Sequence, residues 1–125
     1  MTKTAVVVFS DPNSKSDEAL GRLFNALFLV HDLQNKKQEV ALIFQGTGVR
    51  WLGEVVKPDH PAHALYNTVE KQTVLACGGC GDVFGASKEV EASGVKISRE
   101  TPIPGTTGIL SLANYIADGY QIINF

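Results

Sequence analysis

The sequence is poor in cysteine, has little excess charge and begins with only a short apolar run. It has only two cysteines among its 125 residues, too few for a scaffold held together by disulfides. Its 11 basic and 13 acidic residues nearly balance at a net charge of -2, which argues against a nucleic-acid partner. Its first apolar run, residues 5–9, is too short for a signal sequence or a membrane span. We therefore expect a cytoplasmic protein with no nucleic-acid partner and no membrane partner.

The composition is that of an ordinary globular chain. Hydrophobic residues make up 44% of the sequence and charged residues 19%, and no repeat, linker or low-complexity segment interrupts it. A chain of this length can bury a core without disulfides or metals. We expect residues 1–125 to form a single domain.

Apolar runs alternate with helical patterns along the chain. Strand-like runs occur at residues 5–9, 40–44, 73–76, 94–97 and 120–124. This alternation predicts an α/β fold with a parallel sheet. In such a sheet, each connection from a strand to the next helix lies at the carboxyl edge. The following should therefore share one rim: Ser10, Gly46, Cys77 and residues 102–107.

The first helical pattern begins near Ser16 and ends near Gln34. Its spacing predicts a core face formed by Leu20, Leu23, Phe24, Leu27 and Phe28. Further apolar residues lie off this face, at Ala19, Ala26, Leu29 and Val30. A helix this apolar in a small domain indicates burial on two sides, so we expect a homo-oligomer.

Both cysteines lie in one short segment, Cys77-Gly78-Gly79-Cys80, between a strand-like run and a predicted helix over residues 82–90. A thiol at the start of a helix feels the positive end of the helix dipole, which favours the thiolate. The two glycines remove side-chain bulk, so that a partner can approach closely. In a reducing cytosol such a pair indicates redox, sulfur-carrying or metal chemistry rather than a structural disulfide. The simpler alternative is a pair of small buried residues in a tight turn.

A glycine-containing turn, Gly46-Thr47-Gly48, follows the second strand and enters a short helix near Trp51. Free backbone N–H groups at such a turn can hold an anion. It lacks the third glycine of a dinucleotide site and the lysine of a phosphate loop, which favours a structural turn. We predict that Trp51 anchors a core or an interface.

Two histidines, His60 and His63, precede a predicted helix that begins at Asp59 or His60. Together with Cys77 and Cys80 they offer four zinc ligands, but the spacing differs from known short metal frameworks. Helix-start or surface residues are the simpler interpretation, and a base near the thiols is a third. We predict no metal and no cofactor.

A turn-rich loop over residues 101–107, which includes Thr106, precedes the last predicted helix. That helix should place these residues on one face: Ile109, Leu112, Ala113 and Ile116.

The order and spacing of several segments resemble the DsrE/DsrF-like family, small α/β subunits associated with sulfur relay. The resemblance covers nearly the whole chain. It rests on the opening strand with its small-residue loop, Leu75-Ala76-Cys77, Gly85, and residues 108–112 and 120–125. It implies a three-layer α/β/α sandwich with a five-stranded parallel sheet, of the DsrEFH-like and Rossmann-like type, and assembly into trimers or hexamers.

In the relay members of this family, the sulfur-carrying cysteine stands where Cys77 stands here. Cys80 departs from that pattern, and the chain looks more like an uncharacterised cytoplasmic branch in which a Cys-x-x-Cys recurs. The same branch has counterparts of Gly46-Thr47-Gly48, Trp51, His60 and His63 in this order.

The leading hypothesis is a sulfur-transfer protein that carries sulfane sulfur as a persulfide on Cys77, with Cys80 as the resolving thiol. If it is an enzyme, it is a sulfurtransferase-like carrier with a donor or acceptor protein as partner. Substrate-binding residues would be Ser10, Gly46, Thr47, Gly48, Gly78, Gly79 and Thr106. A dithiol redox protein and a non-catalytic ligand-binding or interaction module are the alternatives.

Overall fold

The computed structural model describes residues 1–125 and contains a five-stranded, wholly parallel sheet. The strands follow the order β4-β3-β2-β1-β5. Their bounds are β1 Lys3–Val8, β2 Glu39–Phe44, β3 Val74–Cys77, β4 Lys96–Ser98 and β5 Gln121–Asn124. The α/β fold predicted from the alternating pattern is therefore confirmed.

Six helices connect or flank the strands. They are α1 Asp17–Asn35, α2 Leu52–Val55, α3 His63–Tyr66, α4 Gly78–Val83, α5 Ser87–Ala92 and α6 Leu112–Ala117. Helix α1 begins as predicted, because the Ser16 hydroxyl accepts a hydrogen bond from the Ala19 N–H and caps the first turn. No helix has the length and apolarity needed to cross a membrane.

Several predicted boundaries are wrong, and glycines explain two of them. Gly94 adopts a left-handed conformation with φ +77°, so β4 starts two residues later than predicted. Gly85, at φ +68°, separates α4 from α5 where one helix was predicted. The helix predicted from Asp59 or His60 begins only at His63, without a side-chain cap. Ile109 pairs with Thr101 in an isolated β-bridge and does not belong to α6.

The two faces of the sheet are covered unequally. From β1 to β4, each strand is added beside the previous one, toward the same edge of the sheet. Their right-handed connections therefore place α1, α2, α3 and α5 on one face. That face carries a core cluster of 22 buried residues. Only α6 and the connection before it cover the other face, where the buried cluster is Ala5, Val7, Ala41, Ile43, Cys77 and Leu110. The second outer layer of the sandwich is therefore thin.

The buried face of helix α1 overlaps the predicted one only in part, at Leu23 and Leu27. Its buried residues are Ala19, Leu23, Ala26, Leu27 and Val30. Leu20 and Phe24 are only half-buried, and Phe28 is 50% exposed. The predicted core face mixed two stripes, because residues at i, i+4 and i+8 drift away from those at i+3 and i+7. We call Leu20, Phe24 and Phe28 the outer stripe of α1. Leu20 and Phe24 still pack, partly buried, against the core, whereas Phe28 is exposed.

Candidate active site at the end of strand β3

Cys77 is the last residue of β3 and also the residue that precedes the first turn of α4. Its side chain is fully buried and belongs to the cluster beneath Leu110. Cys80 lies one helical turn later and is half-buried, in contact with the clusters on both faces of the sheet. Both cysteines are free thiols. The segment thus joins an inaccessible sulfur to a partly accessible one.

The two thiols shift each other's pKa values in opposite directions. Hydrogen bonding from the Cys80 thiol is the main cause that lowers the pKa of Cys77, to about 6, against the effect of burial. Backbone N–H groups of Leu110 and Cys80 also stabilise the Cys77 thiolate. The neighbouring Cys77 sulfur and burial raise the pKa of Cys80. At neutral pH the pair therefore favours the negative charge on Cys77 and the proton on Cys80.

The predicted cause of this activation was incomplete. Helix α4 has only six residues, so its dipole is small compared with that of a long helix. The thiolate is stabilised chiefly by the Cys80 thiol and by individual N–H groups, and the N–H of Leu110 comes from a distant part of the chain. The sequence pattern predicted that Cys77 favours the thiolate, but it did not reveal this donor.

Gly78 and Gly79 are required because another segment crosses directly over them. A Cβ on Gly78 would lie 2.4 Å from Cγ of Arg99, and a Cβ on Gly79 would lie 2.8 Å from the Gly108 carbonyl oxygen. The Gly79 N–H donates to that same carbonyl at 2.8 Å. The glycines do allow a close approach, as predicted. The segment that approaches, however, is the chain's own.

We call that segment the cover loop, residues 99–111, which connects β4 to α6. Arg99, at its start, donates through Nη2 to Asp82 Oδ1 at 3.3 Å and through Nε to the Thr107 hydroxyl at 3.1 Å. The Thr107 and Ser87 hydroxyls both donate to the Asp82 carboxylate. These hydrogen bonds hold the pKa of Asp82 below its ordinary value, with Ser87 the largest cause. The predicted residue Thr106 instead shapes the loop, through Ile103 and Gly108.

Asp82, Arg99 and Thr107 were not identified from the sequence. They belong to two segments, Asp82 to α4 and the other two to the cover loop, and no spacing pattern relates them. The turn residues around Pro102 marked the loop as part of the rim, but not what it contacts. Only the tertiary structure pairs it with α4.

The turn after β2, Gly46–Trp51, forms the other wall. The Gly46 N–H is directed at the Cys80 sulfur and favours its thiolate, although the opposing effects are larger. Thr47 and Gly48 fix the turn instead. The Thr47 hydroxyl donates to the Phe9 carbonyl at 2.9 Å, and a Cβ on Gly48 would lie 2.0 Å from the Val8 carbonyl oxygen.

Ser10 and Trp51 support this turn through hydrogen bonds. Trp51 is only 3% exposed, as expected for a core anchor, and its Nε1–H donates to the Ser10 hydroxyl at 3.2 Å. The Ser10 hydroxyl in turn donates to the Ala19 carbonyl. The predicted rim is therefore present, with Gly46 beside the thiols and Ser10 and Trp51 in supporting positions.

The histidines have structural partners of their own. His60 Nδ1 accepts from the Ala62 N–H at 3.1 Å, and its ring lies edge-on to Trp51. Burial lowers the pKa of His60. His63 Nδ1 donates to the Val55 carbonyl at 2.7 Å, and its Nε2 accepts from Asn67. No three His, Cys, Asp or Glu side chains cluster as metal ligands, so the four residues of the zinc alternative are not brought together.

A parallel α/β sheet in which an inner strand, β3, ends in a buried thiol of lowered pKa, with a second thiol one helical turn away, defines a small dithiol protein of the α/β class. The chain belongs to the DsrE/DsrF-like family, whose family model matches residues 2–125.

Two individual proteins extend this comparison. The uncharacterized protein MJ0733 of Methanocaldococcus jannaschii is 26% identical over 121 residues, which cover 97% of this chain and 93% of that protein. The solved structure of BT1422, a conserved protein of unknown function from Bacteroides thetaiotaomicron, matches with a TM-score of 0.61. At 16% identity, with 98% of this chain and 95% of that one covered, it supports the fold alone.

Proposed function

We propose that this protein is a small sulfur-binding and sulfur-transfer protein that carries sulfane sulfur as a persulfide on Cys77. Membership of the DsrE/DsrF-like family supports a sulfur-relay type of function. The observation that carries the proposal is the lowered pKa of Cys77, which leaves its sulfur as the thiolate at neutral pH. The thiolate attacks the outer sulfur of a donor R–S–SH. One S–S bond breaks, another forms, and the products are Cys77–S–SH and the donor thiolate R–S⁻.

Cys80 decides how long such a persulfide lasts. Its thiolate would attack the inner sulfur of the Cys77 persulfide, form the Cys77–Cys80 disulfide and release HS⁻. The interaction with the Cys77 sulfur, the largest cause that raises the pKa of Cys80, weakens once that sulfur is bonded to a second one and no longer carries the charge, but burial still raises this pKa. A small thiolate fraction of Cys80 slows the loss of the carried sulfur, which favours carriage over sulfide release.

A dithiol and disulfide redox function is the second candidate. The observation that favours it is the direct interaction of the two thiols, with one of them activated. The Cys77 thiolate would attack a substrate disulfide and release one substrate thiol, and Cys80 would then resolve the mixed disulfide and release the second, which leaves the Cys77–Cys80 disulfide. Two thiols of a small-molecule or protein reductant would reduce that disulfide and themselves become a disulfide, which completes the cycle. In this case Cys80 is essential, whereas a persulfide carrier requires only Cys77.

Mass spectrometry after anaerobic incubation with a small hydropersulfide distinguishes the two functions. The sulfur-carrier proposal expects a gain of one sulfur atom in the wild type and in Cys80→Ser, and no gain in Cys77→Ser. An equal gain in Cys77→Ser and wild type would overturn it. Rapid conversion of the wild type to the disulfide, with no persulfide detected, would favour the redox function.

We further propose that the chain works as a homo-oligomer, a trimer or hexamer as in related subunits, in a reducing compartment such as the cytoplasm. The outer stripe of α1 supports this, because Phe28 is half exposed and its ring lies 5.9 Å from that of Phe24. A second copy covering this stripe would remove its apolar surface from water. Its other partner would be a sulfur donor, either a protein or a small persulfide, or a protein that accepts the sulfur.

A further inference from the structure

The reactive thiol and the accessible thiol are different residues. Cys77, which has the lowered pKa, is 0% exposed, whereas Cys80 is half-buried. A donor cannot contact the Cys77 sulfur in this arrangement. The segment above Cys77 must therefore move before sulfur is exchanged.

That segment is the cover loop, and its attachment to the site is direct. Leu110, 1% exposed, packs in the same cluster as Cys77 and directs its N–H at the Cys77 sulfur. Two residues earlier, the Gly108 carbonyl accepts from the Gly79 N–H in the first turn of α4. The loop thus both hides the sulfur and contributes to its ionisation.

Outside these contacts, Asp82, Arg99 and Thr107 tie the loop to α4, and we call these three residues the latch. Arg99 fixes the start of the loop and Thr107 its middle, and both bind the Asp82 carboxylate. A Cβ on Gly108 would lie 2.5 Å from the Arg99 carbonyl oxygen, so the loop folds tightly back on the latch. The bridge between Thr101 and Ile109 joins the two ends of the loop by a pair of backbone hydrogen bonds.

The latch lies at the surface. The Arg99 and Asp82 side chains are 38% and 32% exposed. Ion pairs this exposed add little net free energy, because water and salt screen them. The latch therefore orients the loop without locking it.

We propose that the latch is a positioning device that holds the cover loop closed over Cys77 and places the Leu110 N–H against its sulfur, and that sulfur exchange takes place when the latch opens. Asp82, Arg99 and Thr107 act through the loop and do not touch the reacting sulfur. The inference rests on the proposed function only in taking Cys77 as the reacting thiol.

The test compares Thr107→Val with Thr107→Ser, both in a Cys80→Ser background so that Cys77 is the sole thiol. Valine removes the hydroxyl that binds Asp82 and keeps its shape, whereas serine keeps the hydroxyl. Iodoacetamide alkylation of Cys77 is followed against pH. At high pH, where Cys77 is fully ionised, we expect alkylation of Thr107→Val to be about fivefold faster, because the loss of a surface interaction of about 1 kcal/mol changes an equilibrium by that factor. We also expect the pH of half-maximal rate, which reports the pKa of Cys77, to be higher, since the Leu110 N–H moves away. Thr107→Ser should match the Cys80→Ser protein in both quantities.

Two controls separate latch opening from general loss of stability or charge. Val30→Ala weakens the core on α1 far from the loop, and should leave the midpoint pH unchanged in folded protein. Glu91→Gln removes an exposed carboxylate from α5, and Asp82→Asn removes the one in the latch. Only Asp82→Asn should reproduce the effect of Thr107→Val.

Salt provides a test that needs no variant of the latch. In the Cys80→Ser protein, alkylation should quicken as sodium chloride is raised, because screening weakens the Arg99–Asp82 pair. Equal rates and midpoints for Thr107→Val and Thr107→Ser, or alkylation insensitive to salt, would overturn the proposal. No sulfur donor takes part in these measurements. A failure to form the persulfide would therefore count against the proposed function and leave this result intact.

Discussion

Replacement of Cys80 by alanine provides the most direct check of how Cys77 is activated. The thiol of Cys80 is the largest cause of the lowered pKa of Cys77, ahead of the backbone N–H groups. Cys80→Ala removes this donor and leaves the N–H groups of Gly79 and Leu110 in place. Because Cys80 is only half-buried and close to the surface of α4, a methyl group there should be accommodated without loss of the fold.

The size of the effect follows from the strength of the lost interaction. A hydrogen bond to a charged group contributes about 1.5 to 3 kcal/mol, and a change of one in pKa corresponds to about 1.4 kcal/mol. We therefore expect the pKa of Cys77 to rise from about 6 by about one to two. At pH 7 the thiolate fraction should fall from about nine-tenths to between about a half and a tenth.

Ultraviolet absorbance of the thiolate, followed against pH under anaerobic conditions, measures this change. The three tyrosines do not interfere at neutral pH, because burial raises the pKa of Tyr66 to about 12 and hydrogen bonding to Glu39 raises that of Tyr120 to about 12. The pKa of Tyr115 is also raised, chiefly by burial. The wild type should show one thiolate per chain at neutral pH.

Cys80→Ser is the matched control, since its hydroxyl still donates to the Cys77 sulfur. Its titration should lie between those of the wild type and Cys80→Ala. An unchanged or lower pKa of Cys77 in Cys80→Ala would refute the assignment of Cys80 as the main donor. Absorbance that persists at neutral pH in Cys77→Ser would show that the wrong sulfur had been assigned the charge.

Three further predictions concern the fold and the assembly. Gly48→Ala should lower the free energy of unfolding, measured with urea, by about 3 kcal/mol or more, because its Cβ would lie 2.0 Å from a backbone oxygen. Gly21→Ala is the control: its Cβ would have nothing within 4 Å, and it should stabilise α1 by about 0.5 to 1 kcal/mol. Phe28→Ser should reduce the mass measured by light scattering with little change in secondary structure, and an unchanged mass would place the interface elsewhere. The raised pKa of Tyr66 means that its protonated phenol favours the folded state below pH 10. The melting temperature should therefore fall as the pH rises from about 10 toward 12. A melting temperature that stays constant over this pH range would contradict the burial of Tyr66.

The sequence predicted the main features of the site because they are local. Cys77 and Cys80 adjoin in the chain, and a thiol between a strand and a helix is recognisable from periodicity alone. The carboxyl edge of a parallel sheet then placed Gly46 and the loop after β4 on the same rim. The boundaries of α3 and β4 were less predictable, since they depend on backbone conformations at the preceding residues.

The sequence was a poor guide wherever two surfaces compete for the same apolar residues. In α1, Leu20 and Phe24 have the spacing of a core face, yet the buried residues are Ala19, Leu23, Ala26, Leu27 and Val30. The buried face is thus turned by about one residue from the predicted one, which leaves Leu20 and Phe24 only half-buried. Periodicity does not distinguish the two orientations, because both stripes are apolar.

The pattern of residues was enough to predict the α/β class, the order of the elements and the position of the two cysteines, because these depend on short-range patterns and on the handedness of strand connections. The donors that stabilise the Cys77 thiolate and the loop that covers it are visible only in the folded chain. The Leu110 N–H, the Gly108 carbonyl and the Arg99 guanidinium reach Cys77 and its glycines from about 20 to 30 residues away along the chain. Such contacts arise from the path of one loop across the sheet edge, which no local spacing encodes.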